Sequence, residues 1–306
     1  MYEVNIMNKH KWQFSSSFRR NAFGWRSQIP VQRIKEALSE IRATARRDPL
    51  LAADGAVLFL EKISSALEHV DSSSGAIGTA VNNAIEILAP IISSANVKDD
   101  KRQEWLERLW EALQNDNMPY IEYLGDFWGE MCATQTLASI WANEFLDMVK
   151  HIWNPETTGF NFYKGTVPCL SSLLHAKRYE ELLTLLERAP NKMWYYKRFG
   201  VDALMKMGKL NAALEYAQNS GALNCPYGQI SKKCEEILLA MGLIDEAYKL
   251  YAIQSNRTTT NLATFRAIVK KYPNKELKKI LHDLIESEPG NERKWFAAAK
   301  TAGFLS

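Results

Sequence analysis

The chain has few cysteines, and their positions exclude the common cysteine-based sites. Four occur among 306 residues, namely Cys132, Cys169, Cys225 and Cys234. No two form a CxxC, and no histidine stands at zinc-finger spacing from them, so no metal site is predicted. Scattered cysteines in a chain this long are typical of buried, small apolar residues in a reducing compartment.

Long apolar runs are also missing. No stretch reaches the ~18 apolar residues of a membrane span, and residues 1–30 lack the apolar core of a secretory signal. Those residues are rich in Ser and Arg, as in a transit peptide, but their aromatic side chains indicate packing anchors instead. The anchors are Trp12, Phe14, Phe18, Phe23 and Trp25. We therefore expect a cytoplasmic protein without a membrane partner.

Known catalytic motifs are absent from the sequence. GxSxG, GxGxxG and GxxxxGK do not occur, and the five histidines form no HExxH, HxH or HxxxH. We therefore predict no catalytic residue, no metal and no cofactor. Because catalytic residues also converge from distant positions, an unrecognised enzyme stays open as an alternative.

Strand patterns of useful length are absent, whereas apolar residues recur every three or four positions along almost the whole chain. This spacing predicts an all-α protein of thirteen or so helices. Turn and loop residues divide the chain into four regions. These are an aromatic and basic arm at 1–29, an N-terminal helical region at 30–154, a linker loop at 155–165, and helical repeats with a C-terminal cap at 166–306.

The most informative feature is a stretch that recurs 34 positions later. Met205, Gly208, Leu210, Ala213 and Tyr216 return as Leu239, Gly242, Ile244, Ala247 and Leu250. This is the period of tetratricopeptide-type helix pairs, which bury their apolar faces only by stacking. The prediction is therefore antiparallel helix pairs stacked as a tetratricopeptide-like α-solenoid. Both glycines should lie at turns of positive φ, and both alanines should be buried. Lys177 replaces the turn glycine in an earlier, degenerate copy.

Charge is unevenly distributed, although the net charge is only +3. Residues 1–50 hold ten bases and four acids, residues 99–130 hold three bases and nine acids, and residues 257–300 hold ten bases and five acids. Such alternation occurs on ordinary solvated helix faces, which is the interpretation we favour, and on matching surfaces within or between subunits. It fixes neither a partner nor an oligomeric state.

Aromatic and basic residues alternate in the segment KMWYYKRFG, residues 192–200. The candidate binding surface consists of Trp194, Tyr195, Tyr196, Lys197 and Arg198. Such side chains stack on bases and neutralise phosphates in nucleic-acid binders. The aromatic residues equally suit the first helix of a repeat unit, and we favour core packing. Neighbouring helical residues point about 100° apart, so Trp194 and Tyr195 need not be equally buried.

A second candidate is the loop HVDSSSGAIG, residues 69–78, between two long apolar stretches. Its members are Asp71, Ser72, Ser73, Ser74, Gly75 and Gly78. A Ser- and Gly-rich turn before a helix offers free N–H groups to an anion. No GxxxxGK and no nearby basic residue completes a phosphate site. We therefore favour a structural loop, with a helix cap and close packing at both glycines.

Between Asn21 and Ser94 the chain contains the segments NAFGWRSQIP, RIKEALSEI, DGAVLFLEKISSALEHVDSSSGAIGTAVNNAIE and LAPII. With them, the first third of the chain resembles a conserved bacterial family of uncharacterised helical proteins. The resemblance implies a helical fold and no established activity. Related helical segments occur beside SWIM-type zinc fingers. The SWIM pattern, CxC followed by CxH, is missing here, so no zinc or nucleic-acid role carries over.

Together these features favour a non-catalytic protein-binding scaffold that uses a helical-repeat groove in residues 166–306. Its partner is a protein whose identity the sequence does not give. The alternatives are a nucleic-acid-binding helical-repeat protein, acting through its basic and aromatic surfaces, and an unrecognised enzyme.

Overall fold

The computed structural model describes residues 10–157, 162–190, 193–220 and 227–304. Within them it has fifteen α-helices, three short 3-10 helices and no β-strand, which confirms the all-α prediction. The chain forms two compact units, residues 1–188 (unit 1) and 189–306 (unit 2). The units thus divide after Arg188, whereas the predicted linker loop was 155–165.

Unit 1 contains eight α-helices in its described residues. They are α1 (Gln28–Ala45), α2 (Pro49–Leu67), α3 (Ala76–Ser94), α4 (Asp99–Gln114), α5 (Trp128–Met131), α6 (Gln135–Ile152), α7 (Thr166–His175) and α8 (Tyr179–Glu187). Asp48 caps α2 by accepting a hydrogen bond from Leu51 N at 2.9 Å, and Pro49 occupies the first helical position. α2 packs against α1, α3 and α4.

Two basic side chains close the carboxyl ends of helices in unit 1. The buried Arg102 donates to the carbonyls of Ile92, Ala95 and Met131, which lie at the ends of α3 and α5. Burial lowers the pKa of Arg102. Lys164 donates to the carbonyls of Leu113 and Gln114, the last two residues of α4, and of Asp116, at 2.6 to 3.1 Å. Both residues satisfy carbonyl groups that a helix leaves unpaired.

The N-terminal arm packs onto α2 through most of its aromatic residues. Trp12 lies so close to Gly55 that a Cβ there would overlap the indole ring. Phe18 meets Phe59 edge to face, with ring centroids 5.0 Å apart. Phe14 and Phe23 are also buried. Trp25 is the exception: it is 71% exposed, so its prediction as a packing anchor was wrong.

One described helix, α3, is long and apolar enough to cross a membrane, judged by length and composition alone. The core helix of a soluble domain has the same properties, and α3 packs against α1 and α2. Its buried residues are Ile77, Val81, Ala84, Ile85, Leu88, Ala89 and Ile92.

Unit 2 contains seven α-helices in its described residues. They are α9 (Trp194–Lys206), α10 (Leu210–Gln218), α11 (Tyr227–Ala240), α12 (Ile244–Ser255), α13 (Asn261–Lys271), α14 (Leu277–Glu286) and α15 (Phe296–Thr301). α9 packs against α10, and α11 packs against α10 and α12. The last helix, α15, has six residues, and α5 of unit 1 has four. Both helices are too short to produce a recognisable apolar period in the sequence.

Side-chain contacts join every second helix of unit 2. Lys233 of α11 reaches Asp202 of α9 at 3.0 Å, and Lys271 of α13 reaches Glu235 of α11 at 2.5 Å. We call α9, α11 and α13 the first layer. In the same way Gln218 of α10 bonds Tyr251 of α12, and Tyr248 of α12 bonds Asp283 of α14. We call α10, α12 and α14 the second layer.

Three tight turns in the chain share one backbone geometry. Lys177, Gly208 and Gly242 follow α7, α9 and α11 with φ of 58°, 75° and 78°. After each, the next N–H bonds a carbonyl five residues earlier, at 2.9 to 3.0 Å, which is the Schellman pattern. The positive φ predicted at both glycines is confirmed. Ala213 and Ala247 are fully buried, as predicted.

These turns predict opposite effects of substitution at equivalent positions. Gly208→Ala should lower the free energy of unfolding by about 1 kcal/mol, because a Cβ there is strained by the positive φ although nothing lies within 4 Å of it. Lys177→Gly should raise it by up to about 1 kcal/mol, because relief of strain exceeds the entropy added to the unfolded chain. Urea titration measures both, with Lys177→Ala as the control that keeps the strain. A stabilising Gly208→Ala would contradict this account.

Candidate functional site

The structure separates the five residues of the aromatic and basic segment. Trp194 is 5% exposed and belongs to the core, whereas Tyr195 is 41% exposed, so the adjacent aromatics do differ. Lys197 lies over the ring of Tyr216 on α10, 5.4 Å from its centroid. Arg198 lies against Tyr195, 4.8 Å from the ring centroid, and donates to its carbonyl at 2.8 Å. Arg198 also lies 4.7 Å from the ring centroid of Phe199, which is buried.

Tyr196 is half-buried, and its ring lies 5.4 Å from that of Tyr195. Lys192, at the start of the same segment, lies outside the described residues.

We group certain positions of the first layer under the name outer face; Arg198 and Asp202 are half-buried, and the others are exposed. On each helix they recur at steps of three or four, as expected for one side of an α-helix. The outer face consists of Tyr195, Arg198, Asp202 and Lys206 on α9, Lys232 and Glu236 on α11, and Arg266 and Lys270 on α13. Lys233 joins α9 to α11 on this surface, since its Nζ lies 3.0 Å from Asp202 and 2.8 Å from Glu236.

Three bases of the outer face recur at a constant spacing in the sequence, one on each helix of the first layer. Arg198, Lys232 and Arg266 are each 34 residues apart, and we call them the basic row. Lys232 and Arg266 are exposed and make no ion pair with another described residue. Lys232 and Arg266 lie outside the segment 192–200 and were not predicted from the sequence. Continuing the 34-residue period from Arg198 would have found them.

The charge of unit 2 reinforces this surface. Residues 189–306 contain 18 bases and 11 acids, a net charge of +7, while residues 1–188 contain 20 bases and 24 acids, a net charge of −4. The two acids of the outer face are already bound by Lys233. The outer face therefore presents a positive field to solvent.

Beside the outer face, a fully buried carboxylate joins three helices. Glu235 of α11 accepts hydrogen bonds from Lys271 Nζ at 2.5 Å, Tyr272 Oη at 2.6 Å and Asn256 Nδ2 at 2.9 Å. Burial and the contact with Glu235 raise the pKa of Tyr272 well above its usual range. Three donors offset the cost of burying this charge, so the cluster fixes α13 against α11.

The loop before α3 is held by its own side chains. Asp71 Oδ1 accepts a hydrogen bond from Ser73 N at 2.9 Å, and Ser74 Oγ lies 3.4 Å from the N–H of Ala76, the first residue of α3. Leu67 and Val81 are fully buried on either side of the loop. Gly75 is the N-cap residue of α3, and no side chain forms a cap hydrogen bond there.

Two expectations about this loop were wrong. A Cβ at Gly75 or Gly78 would meet nothing within 4 Å, so neither glycine is required for close packing. Gly75 is required instead by its left-handed backbone, with φ of 72°. A basic residue does lie nearby, because α1 brings Lys35 to the same open groove of about 410 Å³ that Ser74 and Gly75 line.

The described cysteines are structural. Cys132, Cys169 and Cys234 are buried and unpaired with one another. Burial raises the pKa of Cys132 and of Cys169 to about 12, so both thiols stay protonated near neutral pH and are poor nucleophiles. Cys225 lies outside the described residues.

Other polar clusters are already satisfied by their neighbours. A groove of about 1130 Å³ between the arm, α2 and α4 contains Lys101 and Arg108, which pair with Asp54 and Glu61. His282, Asp283 and Glu286 on α14 are the one described trio close enough to share a metal ion. The trio faces solvent, however, and Asp283 already accepts hydrogen bonds from Tyr248 and Lys279.

No protein-family model matches the chain, and neither a curated protein nor a solved structure is significantly similar to it.

The buried cluster predicts that one partner is more harmful to remove than both. Lys271→Met should lower the free energy of unfolding by about 2 kcal/mol, because Glu235 stays buried without its cation. The loss is moderate because the Lys271 side chain is 31% exposed and the ion pair is therefore partly screened by solvent. Positions 34 residues before and after Glu235 hold Val201 and Val269. The double change Glu235→Val with Lys271→Met should therefore recover most of the loss in urea titration. A double variant less stable than Lys271→Met would refute this.

The loop glycines predict a second contrast. Gly78→Ala should raise the free energy of unfolding by about 0.5 to 1 kcal/mol, because alanine favours the helix and the space is open. Gly75→Ala should lower it by about 1 kcal/mol through backbone strain. Thermal melts measure both. A saturable rise of Tm with phosphate, lost in Lys35→Ala, would instead indicate anion binding at this loop.

Proposed function

We propose that the chain is a non-catalytic protein-binding scaffold whose helix pairs stack as a tetratricopeptide-like α-solenoid. The outer face of unit 2 is its platform. The observation that carries the proposal is the basic row, three bases spaced 34 residues apart with one on each helix of the first layer, of which Lys232 and Arg266 are exposed. A surface built from repeated positions suits an extended partner that crosses several helices.

The composition of the outer face supports a protein partner. Tyr195 offers a large exposed aromatic ring beside Arg198, and tyrosine and arginine are the residues most often central to protein interfaces. The cation and the ring are in contact before any partner arrives, so less side-chain freedom is lost on binding.

The arrangement of charge favours protein over nucleic acid. Asp202 and Glu236 lie one helical turn after Arg198 and Lys232, and both remain on the outer face. Carboxylates at these positions repel a continuous phosphate backbone, which binds best where bases are not interrupted. A polypeptide whose acidic residues are spaced apart can place them beside the bases of the outer face and away from Asp202 and Glu236.

The platform predicts that a single aromatic side chain matters for binding. With the full chain as bait, Tyr195→Ala should weaken retention of the captured partner about tenfold, since truncation of a central interface tyrosine costs roughly 1–2 kcal/mol. Circular dichroism should show an unchanged melting temperature.

Leu250→Ala is the matched control, because Leu250 is 52% exposed on α12 of the second layer. It should leave retention unchanged. If Leu250→Ala weakens retention of the partner as much as Tyr195→Ala does, the outer face is not the binding platform. Retained material that disappears on nuclease treatment, with binding that falls steeply with salt, would indicate the nucleic-acid alternative instead.

A further inference from the structure

The open groove of about 410 Å³ beside the loop before α3 lies between two helices of unit 1, α1 and α3, which pack against each other. Four residues of α1 line it at steps of three and four, which places them on one side of that helix. They are Val31, Ile34, Lys35 and Leu38.

The groove is open because α3 contributes short side chains to it. Ala76, Thr79 and Ala80 line it at the same helical spacing, and Gly75 precedes them without a side chain. A bulky residue at any of these positions would fill the space between the two helices. The groove is therefore a consequence of small residues on α3 opposite branched residues on α1.

The lining of the groove is mostly aliphatic and contains one charged side chain. Val31, Ile34 and Leu38 are branched aliphatic residues, and the described lining includes no aromatic ring. Lys35 is its only ionisable residue, is exposed, and forms no ion pair with another described residue. The base that the loop itself lacks is thus supplied by α1. Sites for small molecules are typically apolar with a few polar groups that fix orientation, so this lining suits an aliphatic body with one negative group.

The dimensions of the groove favour a small ligand over a protein segment. Its volume lies within the roughly 300–1,000 Å³ of small-molecule pockets. Val31 and Leu38 are separated by about 10 Å along the helix axis, whereas an α-helix with its side chains is itself about 10–12 Å across. A stable protein interface also covers about 800 Å² on each partner, which is more than a stripe of this length offers.

We propose that this groove binds an aliphatic carboxylate, a hydrocarbon chain that ends in one carboxylate group. The hydrocarbon packs against Val31, Ile34 and Leu38, and the carboxylate pairs with Nζ of Lys35. Removal of the hydrocarbon from water supplies most of the affinity, since an ion pair at an exposed lysine contributes little. Lys35 mainly selects the sign of the head group. The groove belongs to unit 1, so this proposal does not depend on the outer face of unit 2.

The test is isothermal titration calorimetry of the full chain with decanoate, which should bind saturably at one site. Decyltrimethylammonium has the same hydrocarbon chain with the opposite charge, and it should bind about fivefold more weakly or less. Acetate, which has the head group without the chain, should give no measurable heat of binding. Equal affinities for decanoate and decyltrimethylammonium would mean adsorption to any apolar surface and would overturn the proposal. Absence of saturable decanoate binding would overturn it as well.

Charge reversals test the head group. Lys35→Glu should weaken decanoate binding about fivefold, because the carboxylate then meets a like charge. Lys98→Glu is the matched control, since Lys98 is an exposed lysine of unit 1 that does not line the groove. It should change the affinity less than twofold. Equal loss in both variants would mean attraction by net charge alone, contrary to the proposal.

Obstruction of the groove tests the position of the hydrocarbon. Thr79→Phe places a ring in the groove at an exposed position and should abolish saturable binding. Asn82→Phe is its control, on the same helix, exposed, and outside the lining. Melting curves by circular dichroism check the fold, and if Thr79→Phe lowers the melting temperature, Asn83→Phe provides the obstruction at another exposed lining position. Unchanged decanoate binding in a folded, obstructed variant, or equal loss in Asn82→Phe, would place the ligand elsewhere and refute the proposal.

Discussion

The layers of unit 2 depend on a residue in left-handed backbone conformation after α9 and again after α11. Gly208 and Gly242 end one helix and let the next begin within two residues, so consecutive helices pack together as hairpins. Side-chain contacts then join helices that are two apart along the chain, and residues 34 apart, such as Arg198 and Lys232, lie on helices of the same layer.

That relation turns a sequence period into a surface property. A base that would be an ordinary solvated charge on one helix becomes part of a row when it recurs on the next two, as at Arg198, Lys232 and Arg266. The same register brings Lys233 between Asp202 and Glu236. Both acids are thus paired with one lysine, while Lys232 and Arg266 remain exposed.

The candidate surface was predictable only in part. The alternation of aromatic and basic residues indicated Tyr195 and Arg198, but it also included Trp194, which is buried, and Lys197, which lies against Tyr216. Helical spacing gives the direction of each side chain around its own axis. It does not say which of those directions faces a neighbouring helix. Only the position of α10 shows that Lys197 lies against Tyr216.

The sequence by itself determined the helical class, the turn positions and the buried alanines, because periodicity, glycine and small side chains act over a few neighbouring residues. Tertiary structure alone decided that Glu235 is buried, that Lys35 reaches the loop before α3, and that Gly78 has open space. Each of these depends on which side chains from distant segments arrive at one place. Local pattern carries no information about that, since many arrangements of the same amphipathic helices satisfy it equally well.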